Sequence, residues 1–405
     1  MRIPLRAWSL AAAALLVAGA GPVQAADTPP SGSAAGAVQY AVQDLGTLGG
    51  TRSKATAIDG NTAVGSSLIR GDTAEHAFAY DLRSRTMTDL GTLGHSSRAT
   101  GVAGDHIVGE SELTADGPTH GFAYDMRTRR LVDIGTLGGS STDITDLSGD
   151  TVVGTSSLPG DAVTHAFAYS LRTGTMTDLG SLAGPSGNST AAAVSGVTVV
   201  GSSSLPDTPA RTTHGFAYNL RTRTMTDLGT LGGSSSTAND VSGSTVVGQS
   251  RTADNRLTGY AYDLRTGMRT DLGSRFLKGQ LISGSTVVGG DGLLASTYDL
   301  TTHVSAVIGS GRGVTEARQV SGNLVVGDNF APNSFGFVAR ADNGGFTYLP
   351  SLGGLNSSAA QANRFGVVAG SAALPPADQT SANGPFHAAL WVPQTVAGGT
   401  DGDTR

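Results

Sequence analysis

Histidine and aspartate recur along this sequence in a way that invites a search for metal binding or proton transfer. His76, His120, His165, His214 and His387 each open an apolar run, and Asp44, Asp89, Asp133, Asp178, Asp227 and Asp271 each close the following one. Imidazole and carboxylate are the side chains that most often share a proton or a metal ion. A catalytic centre is normally single, however, whereas these residues return once per repeat. The pattern therefore reads as scaffolding, with both groups bonded to backbone in turns.

Departures from the repeat are better candidates for chemistry. His95 stands where the other copies have Gly50, Gly139 and Gly233, and Arg98 follows closely. Arg52 and Lys54 occupy the matching stretch one unit earlier. Arg52, Lys54, His95 and Arg98 together have the chemistry to hold a uronic-acid carboxylate, and His95 with Arg98 could abstract a proton beside it as in a lyase. The competing reading is drift in an exposed loop. His106 and His303 read as ordinary turn or strand positions. No nucleophile elbow, zinc-protease helix, phosphate-binding loop or EF-hand loop is present. No cofactor or metal site is expected beyond loose calcium binding at Gly-Asp steps.

The elements that would position these residues are short and β-favouring. His-Ala-Phe-Ala-Tyr at 76–80 returns at 120–124, 165–169 and 214–218 with Gly or Ala after His, and as Gly-Tyr-Ala-Tyr at 259–262. Each is trailed by a full or worn copy of Asp-Leu-Gly-Thr-Leu-Gly-Gly. Each unit holds four such segments separated by turn residues, and its second segment carries one glycine: Gly65, Gly109, Gly154, Gly201, Gly248, Gly289, Gly327 and Gly370. Four strands in about 40 residues, repeated eight times, predict an all-β, eight-bladed β-propeller, with seven blades as the alternative count.

Both ends support closure. The segment 40–46 matches the fourth strand of a unit, while the last unit stops at 387–391, which matches the third. An N-terminal strand joining the C-terminal blade would seal the ring and remove its open edges. The expected blades cover about 55–91, 99–135, 143–180, 190–229, 237–273, 281–309, 316–352, and 359–393 with 39–46. Units six and seven are degraded, as in Leu-Leu-Ala-Ser-Thr-Tyr at 293–298.

Alternation within 76–82 places bulky side chains on one face and Ala77 and Ala79 on the other. The strand-two glycine suits close approach of neighbouring sheets. If strands run from the inside of the ring outward, the two-to-three and four-to-one connections share one face. The two-to-three loops vary in length, so a binding site is expected there. Arg83, Arg85, Arg127, Arg129, Arg130, Arg172, Arg221, Arg223, Arg265 and Arg269 fall in the three-to-four turns. Asp72, Glu75, Glu110, Glu112, Asp116, Asp161, Asp207 and Asp254 fall on the loop side. One rim should be basic and the other acidic. That division suits an anionic polymer on the basic rim, or equally a solvated surface copied by duplication.

Residues 1–25 combine Arg2 and Arg6, an apolar stretch at 7–20 and Val-Gln-Ala at 23–25, the pattern of a secretory signal peptide. Residues 26–38 read as a flexible leader, 39–393 as a single propeller and 394–405 as a disordered tail. The chain of 405 residues has no cysteine, so neither disulfides nor thiolate metal sites are available to an exported protein. Without the signal peptide, 24 basic residues face 32 acidic ones, which argues against nucleic acid as partner. A monomer is expected.

With His-Ala-Phe and Asp-Leu-Gly-Thr-Leu-Gly-Gly in hand, the chain resembles the bacterial extracellular repeat proteins of the HAF family over about 40–392. The resemblance implies export and tandem β repeats, and carries no agreed activity or functional residues. The sequence thus points to a secreted, extracellular or periplasmic, binding or scaffold propeller. Its variable loops would recognise a carbohydrate or protein surface, with an extracellular polysaccharide or protein as partner. A polysaccharide-degrading enzyme acting at the channel mouth and a secreted inhibitor or accessory factor are the alternatives.

Overall fold

A computed structural model describes residues 38–206, 212–309, 313–331, 333–377 and 383–394. The expected signal peptide, nearly all of the leader, the tail after Gln394 and Asp207 lie outside the described residues. No helix among the described residues is long and apolar enough to cross a membrane.

Eight four-stranded antiparallel sheets form an eight-bladed β-propeller. In blade 1 the order Gly49–Asp59, Thr62–Ile69, Glu75–Asp81, Thr86–Gly91 follows the chain. The first strand of each blade touches the first strand of the next, and Gly49–Asp59 touches Ser357–Ala362 of blade 8, so the ring is continuous. The only helical element among the described residues is a single 3-10 turn, Ser274–Phe276.

The clasp forms as the sequence implied. Gln39–Asp44 pairs antiparallel with Phe386–Gln394, from Gln39 opposite Gln394 to Asp44 opposite Ala389. The eighth sheet therefore takes its outermost strand from the opposite end of the chain, and no first or last blade is left with a missing strand. Blade 6 is shrunken, with strands of six, five, five and four residues, yet it and blade 7 are complete sheets. Blade 1 starts earlier than expected, at Gly49, because its first strand resumes pairing with Ile69 beyond Ser53.

The core lies between blades and repeats with them. Phe78, Phe122, Phe167, Phe216 and Phe337 are fully buried. Each sits in the third strand opposite the strand-two glycine, Phe78 facing Gly65 and Phe167 facing Gly154. The reason for that glycine differs from the sequence expectation. A Cβ on Gly154 would lie 2.0 Å from the carbonyl oxygen of Asp143, and one on Gly65 would lie 1.9 Å from that of Lys54. The crowding thus comes first from the blade's own first strand, where a one-residue bulge (Thr145 in blade 3, Thr56 in blade 1) pushes the backbone inward.

Candidate functional site

The repeated His and Asp find each other. His76 Nδ1 lies 2.9 Å from Asp89, His120 2.8 Å from Asp133, His165 2.8 Å from Asp178, His214 2.9 Å from Asp227 and His387 3.0 Å from Asp44. Each carboxylate also accepts the backbone N–H of the glycine two residues on, as Asp89 does from Gly91 at 2.8 Å. The expectation that imidazole bonds to backbone is met only in blade 3, where His165 Nε2 is 3.1 Å from the Gly187 carbonyl. In every one of these blades the imidazole meets the carboxylate at the ends of strands three and four, with a bulge next to the phenylalanine in blades 1, 2 and 3 and without one in blades 4 and 8. In blade 5 Thr258 replaces His and donates to Asp271 at 2.5 Å. One such pair in each of six blades, tying two strands of the same sheet, is scaffolding.

A hydroxyl near the start of each of six first strands completes this framework, and sequence reading missed it. Ser97 Oγ donates to the Gly91 carbonyl at 2.7 Å and accepts the Ala77 N–H at 2.8 Å, joining blade 2 to blade 1. Ser53 joins blade 1 to blade 8 in the same way through Gly46 and Ala388. The detectable signal was a Ser or Thr six to nine residues after each Asp-Leu-Gly glycine: Ser53, Ser97, Thr142, Ser189, Ser236 and, after Leu349, Ser357.

Of the four residues singled out as departures, Arg52, Lys54 and Arg98 line two adjoining clefts, and His95 stands next to the second. Lys54 and Arg98 hold the same register on neighbouring blades, opposite Ser66 and Glu110. Arg52 and Lys54 line a cleft of about 420 Å³ at the seam between blades 8 and 1, with Leu68, Glu75, Ser371 and Phe386. Among the described residues no carboxylate lies within ion-pair distance of either cation. Both are exposed, and Phe386 is half-buried. Glu75, anchored by the Ser66 hydroxyl at 2.7 Å, also borders the second cleft.

That second cleft, of about 50 Å³, is lined by Arg98, Glu110, Glu112, Ser96 and Thr119. The Arg98 guanidinium is ion-paired with the buried carboxylate of Glu110, whose other oxygen accepts the Ile144 N–H of blade 3 at 3.2 Å. Burial pushes the Glu110 carboxyl above the usual carboxylate range, and Arg98 offsets this only in part. Asp143 is likewise raised by burial. His95 faces Ser96 Oγ at 3.0 Å and Glu112 at 3.6 Å. The structure thus brings Arg52 and Lys54 together without a close ion pair, Arg52 adding its charge to the Thr51 hydrogen bonds that hold the Asp72 carboxyl down, while His95 and Arg98 each answer to a glutamate. Glu75 and Glu110 belong to the acidic loop side read from the sequence, whereas Phe386, from blade 8, is a contributor that no single unit reveals.

The channel itself holds a cavity of about 260 Å³ walled by blades 7, 8, 1, 2 and 3. Its polar side chains link blades. Gln361 Oε1 accepts the Ile58 N–H at 2.8 Å, Gln319 Oε1 the Ala362 N–H at 2.7 Å, and Asp146 the Val194 N–H at 2.8 Å. Among the described residues no group of three or more His, Asp or Glu is placed to hold a metal ion.

No family model matches the sequence, and no curated protein matches it. Solved structures do share the fold. The chain is similar to Porphyromonas gingivalis dipeptidyl peptidase 4 at 12% identity and a TM-score of 0.52, covering 82% of this chain and 57% of that one. It is similar as well to the β-propeller domain of the trilobed protease from Pyrococcus furiosus, at 12% identity and a TM-score of 0.50 over 74% of this chain and 96% of that domain. That domain is described with an open velcro topology, whereas here Gln39–Asp44 closes the ring. The chain spans little more than half the peptidase's length, and identities this low concern the fold alone.

Proposed function

We propose that this chain is an exported binding propeller of the HAF repeat type, holding a carboxylate-bearing saccharide of an extracellular polymer in the seam cleft between blades 8 and 1. The observation that carries this reading is the pair of unpaired cations, Arg52 and Lys54, sharing that cleft with Phe386. A guanidinium fork grips a carboxylate through two parallel hydrogen bonds, and an ammonium adds a point charge. The aromatic ring offers an apolar wall for a sugar face, and Glu75 and Ser371 supply acceptors for hydroxyls. The apolar stretch at 7–20 with Ala25 supports export.

A lyase at the adjoining cleft draws less from the geometry, because His95 and Arg98, the residues that would act, are held by Glu112 and Glu110. Calorimetry of the mature chain with uronate-containing oligosaccharides and their neutral counterparts tests the proposal. Binding restricted to the acidic set, weakened about tenfold or more in Arg52→Ala/Lys54→Ala, is expected. Equal binding of neutral sugars, or an unchanged double variant, would remove the assignment.

A further inference from the structure

On the face opposite the seam cleft, arginines of four consecutive blades lack a carboxylate within ion-pair distance among the described residues, among them Arg85, Arg129, Arg130, Arg172, Arg221 and Arg223. All are exposed. They occupy or flank the tight turns between strands three and four, which project from the rim at one level because the strands before them share a register. From this arrangement we infer that the turn face is a second binding surface, built to lie along a linear carboxylated polysaccharide.

Backbone conformation puts a cost on three of these positions. Arg85, Arg129 and Arg223 have φ of 56°, 55° and 57°, in the left-handed region that favours glycine, and the matching positions in blades 3, 5 and 7 are Gly174, Gly267 and Gly344. An arginine there is strained relative to the glycine the same turn accepts elsewhere. Three blades nonetheless carry the cation at this cost.

Two of the four turns also lack the aspartate that Asp81 and Asp125 supply in blades 1 and 2. Asp81 opens the blade 1 turn and caps the N–H groups of Arg83 and Ser84 at 2.8 Å. In blades 3 and 4 the same cap is uncharged: Ser170 accepts from Thr173 at 3.3 Å and Asn219 from Arg221 at 2.9 Å. Arg127, by contrast, is paired with Asp105 at 3.3 Å and Arg265 with Asp263 at 3.6 Å.

The companions of these arginines fit a polysaccharide rather than a nucleic acid. Ser84, Thr128, Thr173 and Thr222 place a hydroxyl within each turn, and the turn sequences contain no aromatic side chain on which a base would stack. Planar guanidinium groups match carboxylates bidentately.

The experiment measures retention of the mature chain on immobilised polygalacturonate across a salt series, with neutral dextran and single-stranded DNA as comparison surfaces. Retention on polygalacturonate that falls with salt is expected, with at least about a tenfold loss in Arg85→Gly/Arg129→Gly/Arg223→Gly. That variant should melt no lower than the parent, since glycine already fits these turns. Arg172→Gln/Arg221→Gln, at positions without strain, should weaken retention in the same direction. Arg52→Ala/Lys54→Ala should leave polymer retention in place while abolishing oligosaccharide binding, so failure of the cleft and failure of this surface read out separately. Unchanged retention in both turn variants, or DNA held as tightly as polygalacturonate, would overturn the inference.

Discussion

His387 Nδ1 stands 3.0 Å from the carboxylate of Asp44 across 343 residues of intervening chain. Four other blades make the same contact between strands joined by a tight turn, as His76 does with Asp89 only 13 residues away. In blade 8 it joins the two ends of the propeller. Leu45 N–H to the Ala388 carbonyl at 3.0 Å and Ala388 N–H to Ser53 Oγ at 2.8 Å continue the closure into blade 1.

Removing Gln39–Asp44 should therefore harm the fold far more than removing the ion pair alone. Asp44→Ala, at a partly exposed pair, is expected to cost about 1 kcal/mol. Deleting the strand bares the edge of Phe386–Gln394 and should produce self-association. Thermal melts and size-exclusion chromatography of the two variants check this; a monomeric, equally stable deletion would show the clasp to be dispensable.

The strand-two glycines offer a sharper contrast. Gly154→Ala puts a Cβ 2.0 Å from the Asp143 carbonyl oxygen, and is expected to destabilise by about 3 kcal/mol or more, since backbone must move. Gly104→Ala meets nothing within 4 Å and strains only a φ of 56°, costing about 1 kcal/mol. Denaturant melts should rank them in that order.

Ser97→Ala tests the hydroxyls that tie blade to blade. It strips the Ala77 N–H, which is fully buried, of its acceptor and leaves the Gly91 carbonyl without its donor. A loss of about 2 kcal/mol is expected, with faster amide exchange at Ala77 as the site-specific readout.

Stability should also fall as pH rises toward neutrality. Burial pushes the Asp240 carboxyl up to about 7, with Asp146 adding like charge, while one of its oxygens accepts the Ile282 N–H at 2.8 Å. The folded state thus holds a proton that the unfolded chain releases near its ordinary value. The stability this supplies is complete below that value and is lost as pH climbs to about 7, on the order of 4 kcal/mol. Asp240→Asn keeps the acceptor without the charge, as Gln319 and Gln361 do in blades 7 and 8. It should flatten the pH profile of the melting temperature and be the more stable protein at pH 8.

What the sequence determined by itself was the periodic part. Unit count, four strands per unit, the strand-two glycine and the clasp are written locally, because each copy needs the same turns and the same alternation, and eight copies report them eight times. Even the face bearing the arginines follows from strand parity. Tertiary structure decided what depends on neighbours on other strands. The His–Asp pairing needed the facing ends of two strands, and the strand-two glycine answers to a carbonyl of the first strand beside a bulge. The division of the candidate residues, with Arg52 and Lys54 outside any close ion pair and His95 and Arg98 engaged, was set by Glu110, Glu112 and Phe386. Glu110 and Glu112 engage Arg98 and His95 across the first two strands of their own blade, whereas Phe386 reaches Arg52 and Lys54 only because blade 8 packs on blade 1.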